Sequence, residues 1–131
     1  MGPPAARQGD RIVALDTHLI QPPGAPPPPP VPTPHPFSGI IDGNVSSDVK
    51  IGGAFAATVD STATNTPAHI PIGGMFINPP TNRATITLGS QTVKINGKAA
   101  ARAGDTARTC NDPVDAPIGK VVAVGQVFIG G

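Results

Sequence analysis

Three histidines and one cysteine carry most of the chemistry available to this 131-residue chain: His18, His35, His69 and Cys110. Three neutral imidazoles and a thiolate are a complete tetrahedral donor set for zinc, with bonds of about 2.0–2.1 Å to nitrogen and about 2.3 Å to sulfur. The spacings are long and irregular, with no Cys-x-x-Cys and no His-x-x-x-His pair. Spacing therefore leaves two readings open: the four side chains meet at one ion, or they are packed and solvated separately. One cysteine alone excludes an internal disulfide. A chain with 16 Gly and 18 Pro has a modest core to set against the entropy lost on folding, so a metal would matter. Metal-linked folding of small zinc domains supplies on the order of 10 kcal/mol at neutral pH.

Other chemistries find little support. All the acidic residues are Asp, so a His-Glu-x-x-His zinc protease helix is impossible. Nucleophile-elbow, Walker-type and dinucleotide-binding patterns are missing. Zinc held by three histidines with an open fourth position would be catalytic, whereas a fourth bond from Cys110 closes the site and makes it structural. No catalytic residue is expected. Asp10 and Asp105 follow glycines in repeated turns, where an Asp side chain bonds the turn backbone. Arg7 and Arg102 read as structural or surface residues of the same repeats. The net charge is +1, Lys and Arg are scattered, and Trp and Tyr are absent, which argues against a nucleic-acid partner. The first residues hold no apolar core of a signal peptide, and no run is long enough to span a bilayer as a helix.

The elements that must position these residues are strands. In Leu88–Cys110, Gln91 to Ile95 alternates polar and apolar residues, and Asn96-Gly97 then supplies a tight hairpin turn. Ala99 to Arg102 returns, a second turn follows at Gly104-Asp105, and the stretch ends on Cys110. The same pieces recur. Ala5-Ala6-Arg7-Gln8-Gly9-Asp10 matches Ala100-Ala101-Arg102-Ala103-Gly104-Asp105, and Val49-Lys50-Ile51-Gly52-Gly53 matches Val93 to Gly97. Val127-Phe128-Ile129-Gly130-Gly131 is a third copy of the strand-and-glycine piece. Repeated hairpins that share a core imply a stacked or radial β architecture.

About ten short strands are expected in one all-β domain over residues 1–131. They include Arg11–Leu15, Gly39–Asp42, Val45–Ile51, Ala54–Val59, Ile70–Ile77, Ala84–Leu88, Lys120–Val124 and Gln126–Ile129. Ser61 to Pro67 reads as a Thr- and Asn-rich loop. Residues 21–38 form a proline tract, expected as an inserted polyproline loop barred from any central strand. Its ends would be tied back, with His18 just before it and His35 at its far end.

Pro4-Ala5-Ala6-Arg7 with Gly9-Asp10, followed by Gly89-Ser90, Val93-Lys94-Ile95-Asn96-Gly97, Ala100-Ala101-Arg102, Gly104-Asp105 and Cys110, resembles the pattern of PAAR-repeat proteins. The resemblance covers almost the whole chain. It departs from the pattern at Ala99, where the first copy has Pro4, and in the length of the proline tract. It implies a three-sided β-pyramid or cone capping the trimeric β-helical, VgrG-like spike of a type VI secretion system or related phage-tail-like injection machine. It implies structural zinc near the apex on His18, His35, His69 and Cys110, and no enzymatic activity. It implies a monomer on a three-fold partner, assembled in the bacterial cytoplasm and delivered outward against a target membrane, with effector cargo as a possible passenger. The alternatives are a small zinc hydrolase or lyase with an open three-histidine site, and a proline-rich interaction module.

Overall fold

The structure, a computed structural model, describes residues 2–130. They contain eleven strands and no helix: β1 Arg11–Gln21, β2 Val31–Gly43, β3 Lys50–Ile51, β4 Ala54–Phe55, β5 Thr62–Asn65, β6 Met75–Phe76, β7 Arg83–Ile86, β8 Lys94–Ile95, β9 Lys98–Ala99, β10 Thr106–Thr109 and β11 Ala116–Val122. Strands β1, β2, β5, β7, β10 and β11 form an antiparallel barrel, closed where Arg11, Ile12 and Val13 pair with Val122, Val121 and Lys120. Beyond Val13 the β1–β2 pair runs on past the barrel in unbroken register to Ile20↔Val31. There β6 adds to β1 through Ile20↔Phe76.

Period-two alternation decides what fills this interior. On β1, Ile12, Asp16, His18 and Ile20 are buried; on β2, His35, Phe37 and Ile41 are buried. Low in the barrel the interior is aliphatic: Ile12, Ile41, Ile86 and Val121, with Ala63, Ala84 and Ala107 where the strands leave no room for more. Phe37 fills the middle because β2 carries no side chain at Gly39. A Cβ there would lie 2.7 Å from the Phe37 ring and 3.1 Å from Ala63.

Three copies of one turn floor the barrel. In Arg7–Asp10, Thr58–Ser61 and Arg102–Asp105 the fourth N–H donates to the first carbonyl. The fourth side chain in turn accepts the first N–H: Asp10 from Arg7, Ser61 from Thr58 and Asp105 from Arg102. The expected turn-bonding role of Asp10 and Asp105 is therefore observed. The preceding alanines close a ring, with Ala6 N–H donating to Ala101 O, Ala101 to Ala57 O, and Ala57 to Ala6 O. Each copy follows a hairpin. β3–β4 turns through Gly52-Gly53 and β8–β9 through Asn96-Gly97, all four residues at positive φ. The third is made by opposite ends of the chain, Pro4↔Phe128, with Ile129 N–H donating to Pro3 O and Ala5 N–H to Val127 O. Gly131, the last residue of that copy, lies outside the described residues. Arg7 caps Ile51 O and Gly52 O at 3.1 and 2.7 Å, and Arg102 pairs with Asp105 at 3.0 Å; both arginines are structural.

The proline tract departs from expectation. The loop is only residues 22–30; Gln21 belongs to β1, and Pro32, Pro34 and Pro36 lie within β2. Residue parity explains how. Ser38, of the same parity as these prolines, sends its N–H away from β1 to Asn65 Oδ1, and β5 pairs with β2 only from Gly39 onward. The proline nitrogens therefore face an edge with no partner strand, where a missing donor costs nothing. Several expected strands are shorter. Ser46–Val49 and Ile70–Gly74 are turns and loop, Gln91–Val93 is outside β8, and Gln126–Ile129 supplies a single bridge. Conversely, Thr62–Asn65 is a barrel strand, because Ala63 and Asn65 face inward beside polar Thr62 and Thr64.

Candidate metal centre

His18, His35, His69 and Cys110 come together above Phe37, in the extension of the barrel. Asp16 and His18 are two residues apart on β1, so both point inward; Asp16 stands directly across from His35 in the β1–β2 register. Cys110 arrives at the end of β10. The segment after it replaces β11 beside upper β1: Asn111 Oδ1 accepts Thr17 N–H at 2.7 Å and Asp112 Oδ2 accepts Leu19 N–H at 2.8 Å. His69 comes from the loop before β6, fixed by its own N–H donating to Asn82 Oδ1 at 2.8 Å.

The imidazole centroids are 5.0 Å (His18–His69), 5.5 Å (His18–His35) and 5.7 Å (His35–His69) apart. His18 Nε2 lies 3.8 Å from Cys110 Sγ. Tetrahedral zinc with ordinary bond lengths sets nitrogen and sulfur donors about 3.6 Å apart. Asp16, absent from the sequence-based donor set, joins it: Oδ2 lies 2.9 Å from His69 Nε2 and 3.5 Å from Cys110 Sγ. Asp16, His18, His69 and Cys110 each offer an atom within 4.8 Å of the others, and together could hold a metal ion. His35 is not in that set; its ring centroid lies 5.5 and 5.7 Å from those of His18 and His69. The spacing Asp16-x-His18 on a strand was the signal for Asp16, since two residues along a strand return to the same face.

The donors suit a cation. His35 Nδ1 bonds Thr33 O at 2.9 Å, which fixes the ring and leaves Nε2 inward. His35 Nε2 and His18 Nδ1 are buried without a hydrogen-bond partner, a cost of about 1–3 kcal/mol for each such group. His18 Nδ1 is 3.6 Å from Asp112 Oδ2, so its inward nitrogen is the one facing Cys110. Burial, followed by the neighbouring His69, lowers the pKa of His18 and favours the neutral, ligating form. Burial and then the Asp16 charge push the Cys110 thiol up to about 11, against opposing hydrogen bonds from the backbone of Asn82 and Arg83. A thiolate here at neutral pH requires a cation beside it. Phe76 packs on His18 and His35 at 5.7 and 5.3 Å, and Phe37 on His69 at 6.0 Å, sealing the cluster above and below.

No protein-family model matches this chain, and comparison with curated proteins finds no match.

Proposed function

We propose that this protein is the non-enzymatic, membrane-piercing tip of a type VI secretion system or related contractile injection machine, a three-sided cone capping a trimeric VgrG-like spike. The observation that carries this reading is the Ala6–Ala101–Ala57 hydrogen-bond ring with its three equivalent turns. A single chain built this way has three quasi-equivalent faces, which suits docking on a three-fold partner. The hairpins β3–β4 and β8–β9 and the Pro4–Phe128 pair would form the spike-facing base. Their short, open strand edges suit β-augmentation by the spike.

The opposite end has the character of a point. Residues 17–41 and 61–82 contain no Asp, Glu, Lys or Arg, and the parts of these runs around Ile20, Val31 and Met75-Phe76 meet at the far end of the β1–β2 pair. Ile70 and Met75, each 73 % exposed, lie there. An end made largely of apolar and uncharged residues enters a bilayer at less desolvation cost. Zinc, held by His18, His35, His69 and Cys110, would pin this end against the force of injection. The enzyme alternative needs an open metal position, and a buried thiol with a sealing Phe76 argues against one. The proline-rich module remains favoured only by the exposure of residues 22–30.

The test is reconstitution with a trimeric VgrG-like spike protein, followed by native mass spectrometry. One copy per spike trimer, with one zinc, is expected. Three copies per trimer, or no complex, would refute the tip assignment.

A further inference from the structure

Asp16 is completely buried, and no Lys or Arg occurs in residues 17–41 or 61–82 that surround it. An ionised carboxylate in such a place must be paired or bound to a metal, because losing water costs several kcal/mol per ion. Its two oxygens are used differently. Oδ1 accepts the Thr109 hydroxyl at 2.5 Å and the Asn111 amide at 3.4 Å, so protein donors hold it. Oδ2 meets only the metal-ligating side chains, His69 Nε2 at 2.9 Å and Cys110 Sγ at 3.5 Å. Those separations are close to the edges of one coordination polyhedron, and Oδ2 belongs to the mutually close donor set.

From this geometry we infer that Asp16 is itself a ligand, binding the ion through Oδ2 while Thr109 and Asn111 anchor Oδ1. Charge gives the reason. A divalent ion with Cys110 thiolate and neutral imidazoles keeps one positive charge within its own ligand shell, while the Asp112 carboxylate, 3.6 Å from His18 Nδ1, stands at the ring nitrogen that faces away from Cys110. With Asp16 bound, the ion and its direct ligands are formally neutral, and the buried Asp16 carboxylate has a cation beside it. The same carboxylate makes the donor set one oxygen, one sulfur and up to three nitrogens, with His35 Nε2 as the fifth donor. The inference rests on the metal-centre reading above.

Cobalt(II) substitution tests it. Asp16→Asn is expected to lower zinc affinity at least about 10-fold in chelator competition. Loss of affinity would also follow from an outer-sphere role, so the cobalt spectrum decides. The ligand-field bands should change in position and intensity in Asp16→Asn, while the sulfur-to-cobalt charge-transfer band of Cys110 persists. Unchanged ligand-field bands would make Asp16 an outer-sphere acceptor for His69 and overturn the inference. If Asp16→Asn does not fold, wild-type protein labelled with 13C-aspartate carries the test. Zinc uptake should shift one carboxylate stretch, and an unshifted spectrum overturns the inference. Wild-type protein that binds neither zinc nor cobalt would defeat the metal centre as a whole, a result distinct from a spectroscopically silent Asp16.

Discussion

At Cys110 a proton would compete with the proposed metal ion. In the metal-free protein its thiol is held up to about 11, against 9.0 for a free thiol, so the folded state keeps a proton that the unfolded chain releases. A raised folded pKa means stability fully present below pH 9 and lost as the pH climbs toward 11. Chelator-treated protein should therefore unfold at lower urea at pH 10.5 than at pH 8, beyond any change in Cys110→Ser. Zinc-loaded wild type should lack this loss, because its thiol has already ionised. Cys110→Ser itself is expected to abolish most of the zinc-dependent rise in melting temperature while changing the metal-free midpoint little. An equal zinc-dependent rise in wild type and Cys110→Ser would remove the thiol from the centre.

The elements that could be read in advance were those whose local chemistry is self-sufficient. Asn96-Gly97 and Gly52-Gly53 each supply two positive φ angles and make hairpins wherever they sit. The middle turn, Thr58–Ser61, was hidden because Ser61 Oγ replaces an Asp oxygen and Asp60, at φ 78°, replaces a glycine. Its hydrogen bonds are the same, but its letters are not. The proline strand was hidden for a different reason: tolerance depends on which edge the missing N–H would face, and that is set by β5, far away in sequence. The inward donors were visible as residues, yet their meeting required the β1–β2 register and the segment after Cys110. Gly39→Ala should cost about 1–3 kcal/mol, because a Cβ 2.7 Å from the Phe37 ring overpacks the barrel; chemical denaturation measures it, and a neutral result would mean Phe37 can move. Replacing residues 22–30 with a two-residue turn should leave zinc content unchanged, since His18 and His35 are fixed by strand register.

At the scale of the molecule, the chain is a ring of three units with one gap. Two hairpins are closed by turns, and the third is closed only by pairing between Pro3–Ala5 and Val127–Ile129. If the three positions are equivalent, the gap can be moved. A permuted chain joining Gly130 to Gly2 through a short glycine turn, and opened between Asn96 and Gly97, should keep the barrel and bind one zinc. Seven residues of β1 separate Arg11 from His18, about 23 Å of strand, so the metal centre is remote from the new ends. Circular dichroism, zinc content and urea midpoint measure the outcome, with a loss of about 1–2 kcal/mol expected from the broken β8–β9 turn. Failure to fold would mean that the Asn96-Gly97 turn nucleates the ring in a way the paired ends cannot replace. Folding with full zinc but weakened spike binding would support the hairpin ends as the docking base, because only that end of the molecule has been altered.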